Sequence, residues 1–214
     1  MIDSYRHKGM RKTMLKELEI KGIFDPKVLQ AMDEVPRQWF LDTIFLEKAY
    51  EHIAFQIGCG QTISKPYTVA FQTQCLDIQK SDKILEIGTG CGYQTSVLSK
   101  YGAAVFSIER QRALFVKTKE LLAKIPIRAK LFYGDGYAGL PAFAPFDKII
   151  VTAGAPMVPP ELLNQLKPGG KMIIPVGENR QQTMIFIQKN LDGTITKEEK
   201  GAASFGPMLE DKEW

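Results

Sequence analysis

The sequence predicts an α/β protein: a doubly wound, mostly parallel sheet with an α-helical extension in front of it and an antiparallel hairpin at its end. Three observations carry this. From Lys83 onward short β-rich runs alternate with helical stretches, and the run ending at Ile87 opens directly into a glycine-rich turn and a helix. Before Lys83 the apolar residues recur at helical spacing.

Met10, Met14, Leu15 and Leu18 form the first helical stripe, and Gly22 supplies its stop. A second helix is expected from Asp25-Pro26, where Asp caps free amides and Pro takes the first helical position. Val28, Leu29 and Met32 are its buried stripe, and Val35-Pro36 ends it. After the turn-like Gly58-Cys59-Gly60, the spacing of Val69, Ala70, Thr73 and Leu76 places a helix over Pro66 to Leu76. Gln61-Thr62-Ile63-Ser64 therefore stands just ahead of a helix N-terminus, facing its partial positive charge. Residues 1–80 are read as helices and turns throughout. Strands follow at 83–87, 104–108, 130–133, 148–152 and 171–176, with helices at 93–100, 113–124 and 160–166 between them. The runs 183–188 and 194–198, joined by Asn190-Leu191-Asp192-Gly193, read as a hairpin.

Composition sets the bounds. With 214 residues, 44% of them apolar and 24% charged, the chain is neither disordered nor collagen-like and holds one α/β domain plus an extension, not two catalytic domains. A net charge of +4, from 28 basic and 24 acidic residues, is far from a concentrated basic stripe and decides nothing about partners. The opening Met1 to Lys8 is polar and no run approaches a membrane span, so a cytoplasmic protein without membrane attachment is expected. Cys59, Cys75 and Cys91 form no Cys-x-x-Cys pair, and with only His7 and His52 to help, neither a disulfide framework nor a metal site is expected.

The stretch Ile84-Leu85-Glu86-Ile87-Gly88-Thr89-Gly90-Cys91-Gly92-Tyr93 carries most of the functional information. Glycines at alternate positions, at the carboxyl end of a strand and the amino end of a helix, let the backbone turn sharply and approach a ligand. A plain tight βα turn is the alternative. Glu109 ends the next strand, where an acidic side chain accepts both ribose hydroxyls. Gly134-Asp135-Gly136 follows the strand after that. Asp135 is placed to accept an adenine amino group beside Gly136, although Asp-Gly is also a favoured turn pair. Together they outline an adenosine site. The dinucleotide fingerprint fails, because Tyr93 stands where its third glycine belongs.

Gly88-x-Gly90-x-Gly92 preceded by Glu86, with Pro168-Gly169-Gly170 before a late strand, resembles the class I S-adenosylmethionine-dependent methyltransferases, a Rossmann-like fold. That resemblance implies that Glu86 helps hold the methionine amino group. Gly60-Gln61-Thr62-Ile63-Ser64-Lys65-Pro66-Tyr67 then closely resembles the protein-L-isoaspartate O-methyltransferases. So do Val35-Pro36-Arg37 with Phe40, Ser107-Ile108-Glu109-Arg110, and Ala144-Pro145-Phe146-Asp147 followed by Ile149-Ile150-Val151-Thr152-Ala153. The resemblance implies methyl transfer from S-adenosylmethionine to the α-carboxylate of L-isoaspartyl or D-aspartyl residues in aged proteins. The products are S-adenosylhomocysteine and an ester that cyclises to a succinimide. Ser64 is then the orienting hydroxyl, with Gln61, Thr62 and Ile63 lining the cofactor side; a helix cap is the plain alternative for Ser64. An acceptor carboxylate is already ionised at neutral pH, so no general base is required.

On this reading residues 1–80 are a helical extension with the substrate loop, and 81–214 the cofactor-binding core of one structural domain. A monomer is expected, acting on damaged proteins and peptides and not on nucleic acid or membranes, with no metal. Cys59, where bacterial members often carry histidine, and Gly206, in a substrate-side segment where the family has Val, depart from the pattern; the tail Leu209 to Trp214 has no secure match. The rivals are a class I methyltransferase for another acceptor such as nucleic acid, whose acceptor motifs are missing, and a silent cofactor-binding module.

Overall fold

The fold was obtained as a computed structural model that describes residues 1–179 and 181–213; Trp214, the last residue of the tail, lies outside them. Ser4 accepts the His7 amide and opens α1 (Tyr5–Ile20), which closes where the Ile23 amide returns to the Leu18 carbonyl at 3.0 Å. Asp25 caps α2 (Pro26–Asp33), accepting the Lys27 amide at 2.9 Å ahead of Pro26. Short 3-10 turns at 37–40 and 43–48 lead to β1 (Phe55–Gly58), β2 (Gln61–Ile63) and α3 (Pro66–Leu76).

The antiparallel pair β1–β2 corrects the reading of residues 1–80 as helices and turns only. Each strand is too short for period-2 alternation to register. The connecting Cys59 (φ +52) and Gly60 (φ +65) form a two-residue loop with both residues left-handed, the sense that suits the twist of a hairpin.

The remaining elements are β3 (Lys83–Ile87), α4 (Tyr93–Ser99), β4 (Ala104–Glu109), α5 (Arg112–Leu122), β5 (Ala129–Tyr133), β6 (Phe146–Val151), α6 (Pro160–Gln165), β7 (Leu166–Glu178), β8 (Gln181–Lys189) and β9 (Ile195–Ala203). They build a seven-stranded sheet in the order β5-β4-β3-β6-β7-β8-β9, parallel through β7 and antiparallel for the last two strands. The chain winds outward from β3 through β4 to β5 and then restarts on the other side at β6. The switch point thus lies between β3 and β6, where open α/β sheets bind ligands. β7 begins at Leu166 and not at 171, because Leu166 pairs with Phe146 before a register shift that absorbs Pro168-Gly169-Gly170. The hairpin strands β8 and β9 also run longer than the sequence reading placed them.

Strand alternation sorts the core. Leu85, Ile87, Phe106, Ile108, Ile149 and Val151 pack on one face, against Leu162 of α6. Ile84, Val105, Ile150 and Ile173 pack on the other, against Leu76 and Leu98. Met14 and Leu18 of α1 and Val28 and Met32 of α2 share a cluster with Val97 of α4 and Leu114 of α5, which fixes the N-terminal segment against the α4–α5 side. No described helix is long and apolar enough to cross a membrane.

Candidate functional site

A cavity of about 880 Å³, open to solvent, lies at the carboxyl ends of β3, β4, β5 and β6. Its walls bring together Gln61, Thr62, Ile63 and Ser64 from the hairpin and the entry to α3, Gly88, Thr89 and Gly90 from the turn after β3, Glu109 from β4, and Gly136. These are nine of the residues singled out in the sequence, drawn from segments up to 75 positions apart.

The turn after β3 is held tightly. Gly88 has φ +96, and a Cβ there would lie 2.5 Å from Thr152 Oγ1, so only glycine fits. Thr152 itself donates to the Ile87 and Gly88 carbonyls, at 2.9 and 2.8 Å. Thr89 and Ser107 share a hydroxyl hydrogen bond of 2.7 Å. Glu109 is 5% exposed; its Oε2 accepts the Gly90 amide at 2.8 Å and its Oε1 the Gln111 amide at 2.9 Å. Burial raises the Glu109 carboxyl above its ordinary value, opposed by the Gln111 and Gly90 amides. Each oxygen keeps a lone pair for a diol. At Gly136 a Cβ would meet Ile87 Cγ2 at 2.5 Å, which lets the backbone lie flat against the strand end.

Three predicted residues are not on the walls. Glu86 alternates with Leu85 and Ile87, so it points to the α4 face of the sheet, fully buried, where its Oε2 accepts from Thr95 Oγ1. Its carboxyl therefore stands behind the turn and not on the cavity wall. Its Oε1 has no partner, and burial pushes the carboxyl up to about 7. Gly92 lies between α4 and α5, where a Cβ would come within 2.9 Å of Thr118 Cγ2; its role is close helix packing. Asp135 is half-buried and its Oδ1 accepts the Tyr137 amide at 2.9 Å, the turn chemistry that Asp-Gly favours.

Ser64 does not cap α3. The residue at the cap position is Lys65, with no side-chain cap bond, and the Ser64 carbonyl accepts from Arg37 Nη2 at 2.7 Å. Ser64 lines the cavity.

Sequence reasoning missed Thr152, Gln111 and Tyr93 as wall residues. The carboxyl-end rule for β6 would have found Thr152; Gln111 carries no sequence signal. The tail also contributes. Gly154 and residues 206–208 exchange backbone hydrogen bonds, Gly154 N to Gly206 O at 2.8 Å and Met208 N to Gly154 O at 2.7 Å, which brings Pro207, Met208 and Leu209 onto the wall. Beyond them Arg110 donates to the Glu210 and Asp211 carbonyls and to Glu213 Oε2. The tail is thereby fastened beside Glu109. Among the described residues no group of three His, Cys, Asp or Glu side chains is arranged to hold a metal ion.

A sequence model of the protein-L-isoaspartate(D-aspartate) O-methyltransferase family matches residues 9–213. A protein-L-isoaspartate O-methyltransferase of Flavobacterium psychrophilum is 54% identical over 213 residues, covering 99% of this chain and 100% of that one. The Chromobacterium violaceum protein of the same name is 46% identical over 202 residues, covering 93% and 90%. Among solved structures, a protein-L-isoaspartate O-methyltransferase superposes with a TM-score of 0.85 at 29% identity, covering 94% of this chain and 66% of that one. A Plasmodium falciparum chain solved with S-adenosyl-L-homocysteine has the same fold, with a TM-score of 0.82 at 24% identity, covering 94% and 99%.

Proposed function

The chain belongs to the protein-L-isoaspartate(D-aspartate) O-methyltransferase family, and on that premise we propose how its own residues carry the reaction. The enzyme transfers a methyl group from S-adenosylmethionine to the free α-carboxylate of an isoaspartyl residue in a damaged protein or peptide, leaving S-adenosylhomocysteine and a methyl ester that closes to a succinimide. S-adenosylmethionine supplies an electrophilic methyl group on a positively charged sulfur. The chain's residues bind, orient and exclude water. The observation that carries this reading is that Ser64 lines the same cavity as the Gly88–Gly90 turn and Glu109.

In this reading the backbone of Gly88, Thr89 and Gly90 and the free lone pairs of Glu109 hold the adenosine and methionine parts, with Gly136 giving room and Asp135 available at the adenine end. Gln61, Thr62 and Ile63 close the cofactor side. Glu86 helps hold the methionine amino group from behind the turn, where it also fixes α4 through Thr95. The Ser64 hydroxyl donates to one oxygen of the acceptor carboxylate, aided by the free amides that begin α3, and so aims the other oxygen at the methyl group. Ile57, Ile63 and Val69 line the same cavity and exclude water, which keeps the opposite charges attracting strongly. Neither His7 nor His52 lines the cavity, and none is needed, because a carboxyl with an ordinary pKa near 4 is ionised at neutral pH.

We assign residues 1–80 to the substrate-side extension and 81–214 to the cofactor-binding core. The protein is proposed to act as a monomer in the cytoplasm, without nucleic acid or membrane partners; its three free cysteines suit a reducing compartment. The test is incubation with methyl-labelled S-adenosylmethionine and an isoaspartyl peptide or its normal aspartyl twin. Label is expected on the isoaspartyl peptide alone and is expected to leave as methanol in mild base. Base-stable label on nucleic acid, or tight cofactor binding without turnover, would overturn the reading.

A further inference from the structure

We infer that Arg37 is a positioning residue that makes the acceptor pocket prefer a carboxylate over a neutral group. The inference rests on the proposed placement of the acceptor at Ser64. Arg37 is fully buried, and its fork is satisfied only by carbonyls: Nε donates to Ala49 O at 2.9 Å and Nη2 to Ser64 O at 2.7 Å, while Nη1 is buried without a partner. Its guanidinium lies 4.9 Å from the centroid of the Tyr93 ring, and Tyr93 lines the cavity together with Ser64.

The contrast with Arg11 shows what is unusual. Arg11 is also buried, but Asp3 and Asp33 neutralise it through hydrogen bonds of 2.9 to 3.0 Å. The fold thus pairs one buried guanidinium with carboxylates and gives the other none. A buried charge without a counter-ion is unfavourable. The missing negative charge is the one the acceptor brings to Ser64, whose carbonyl Arg37 already grips.

The direction of the effect follows from the charge change. The acceptor is most negative before transfer and neutral as the ester, so a fixed positive charge near it strengthens binding of the acid and not of the product. Its pull weakens as the transition state is reached, so it acts on substrate binding and ester release more than on bond formation.

The test measures binding to the full-length protein saturated with S-adenosylhomocysteine, using an isoaspartyl peptide and its twin with an α-carboxamide. Wild type is expected to bind the acid at least about 10-fold more tightly than the carboxamide. Arg37→Met is expected to raise Kd and KM for the acid by about 10- to 100-fold without lowering kcat at saturating peptide, and to leave Kd for the carboxamide and for S-adenosylhomocysteine within about threefold of wild type. Arg37→Lys keeps the charge and is expected to retain most of the discrimination.

Equal weakening of both peptides and of S-adenosylhomocysteine in Arg37→Met would reduce Arg37 to a structural role, as would an Arg37→Lys protein no more discriminating than Arg37→Met. If Arg37→Met does not fold, wild type and Arg37→Lys decide, and equal affinity of wild type for acid and carboxamide overturns the inference. Failure of wild type to methylate any isoaspartyl peptide would instead remove the reading on which the inference rests.

Discussion

Glu86→Gln measures the consequence of setting a carboxyl into the middle of the sheet. Glu86 is fully buried, with one oxygen accepting from Thr95 and the other without a partner. Burial outweighs the Ser107 and Thr95 hydroxyls and pushes its pKa up to about 7, from 4.5. Below pH 4.5 the carboxyl is protonated in both folded and unfolded chains and does not oppose folding. Between 4.5 and about 7 the unfolded chain loses its proton first, so stability falls as pH rises; above about 7 the full penalty is present. The gap between the two values is worth about 3 kcal/mol. Glutamine has nearly the same shape and no charge to desolvate, its carbonyl keeps the Thr95 bond, and its amide has the Ser107 hydroxyl to donate to. The stability gained by Glu86→Gln is therefore expected to grow from about 0.8 kcal/mol at pH 5 to about 3 kcal/mol at pH 8, the latter roughly 6–12 °C in Tm. Urea unfolding of both proteins without cofactor at pH 5, 6.5 and 8 measures it. A gain that is flat with pH, or that shrinks as pH rises, would refute the reasoning, because titrating groups not coupled to Glu86 cancel in the difference and the coupled Glu109 carboxylate only adds to the penalty.

Ser64→Ala is expected to lower kcat/KM for an isoaspartyl peptide by about 10- to 100-fold and to leave the calorimetric Kd for S-adenosylhomocysteine within about twofold; parallel losses would assign the hydroxyl to the cofactor site. Glu109→Gln places an amide donor against one of two backbone N–H groups, Gly90 or Gln111, and removes a charge-assisted acceptor. The Kd for S-adenosylhomocysteine should rise by about 10- to 100-fold, and an unchanged value would mean that Glu109 serves the turn only. Gly88→Ala puts a Cβ 2.5 Å from Thr152 Oγ1 at φ +96 and is expected to destabilise by about 1–3 kcal/mol with loss of cofactor binding; a wild-type Tm would contradict the close approach. Arg110→Ala frees the tail at Glu210, Asp211 and Glu213. It should speed S-adenosylhomocysteine dissociation in stopped-flow while stability falls by no more than about 1 kcal/mol, since the ion pair is partly exposed; unaltered dissociation would show that the tail does not retain the ligand.

The sequence by itself determined the elements and much of the pocket. β3 and α3 fall on the predicted residues because an uninterrupted apolar run and a helical stripe are local patterns that need no partner to be visible. The Gly88–Gly90 turn and Glu109 were legible for the same reason, since each sits at a strand end. The tertiary structure decided what depends on distant neighbours. The β1–β2 pair exists because strands of four and three residues gain from each other what neither shows alone. Strand parity and the position of α4 put Glu86 behind the turn and not on the cavity wall. The turn bond of Asp135 and the close helix packing at Gly92 are visible only in space. Only the folded chain places the Arg37 guanidinium on the Ser64 carbonyl, 27 residues along, and the tail beside Glu109, about 100 residues along. Periodicity reports which way a side chain faces on its own element, whereas a binding site is a meeting of several elements, and that is set by strand order and packing.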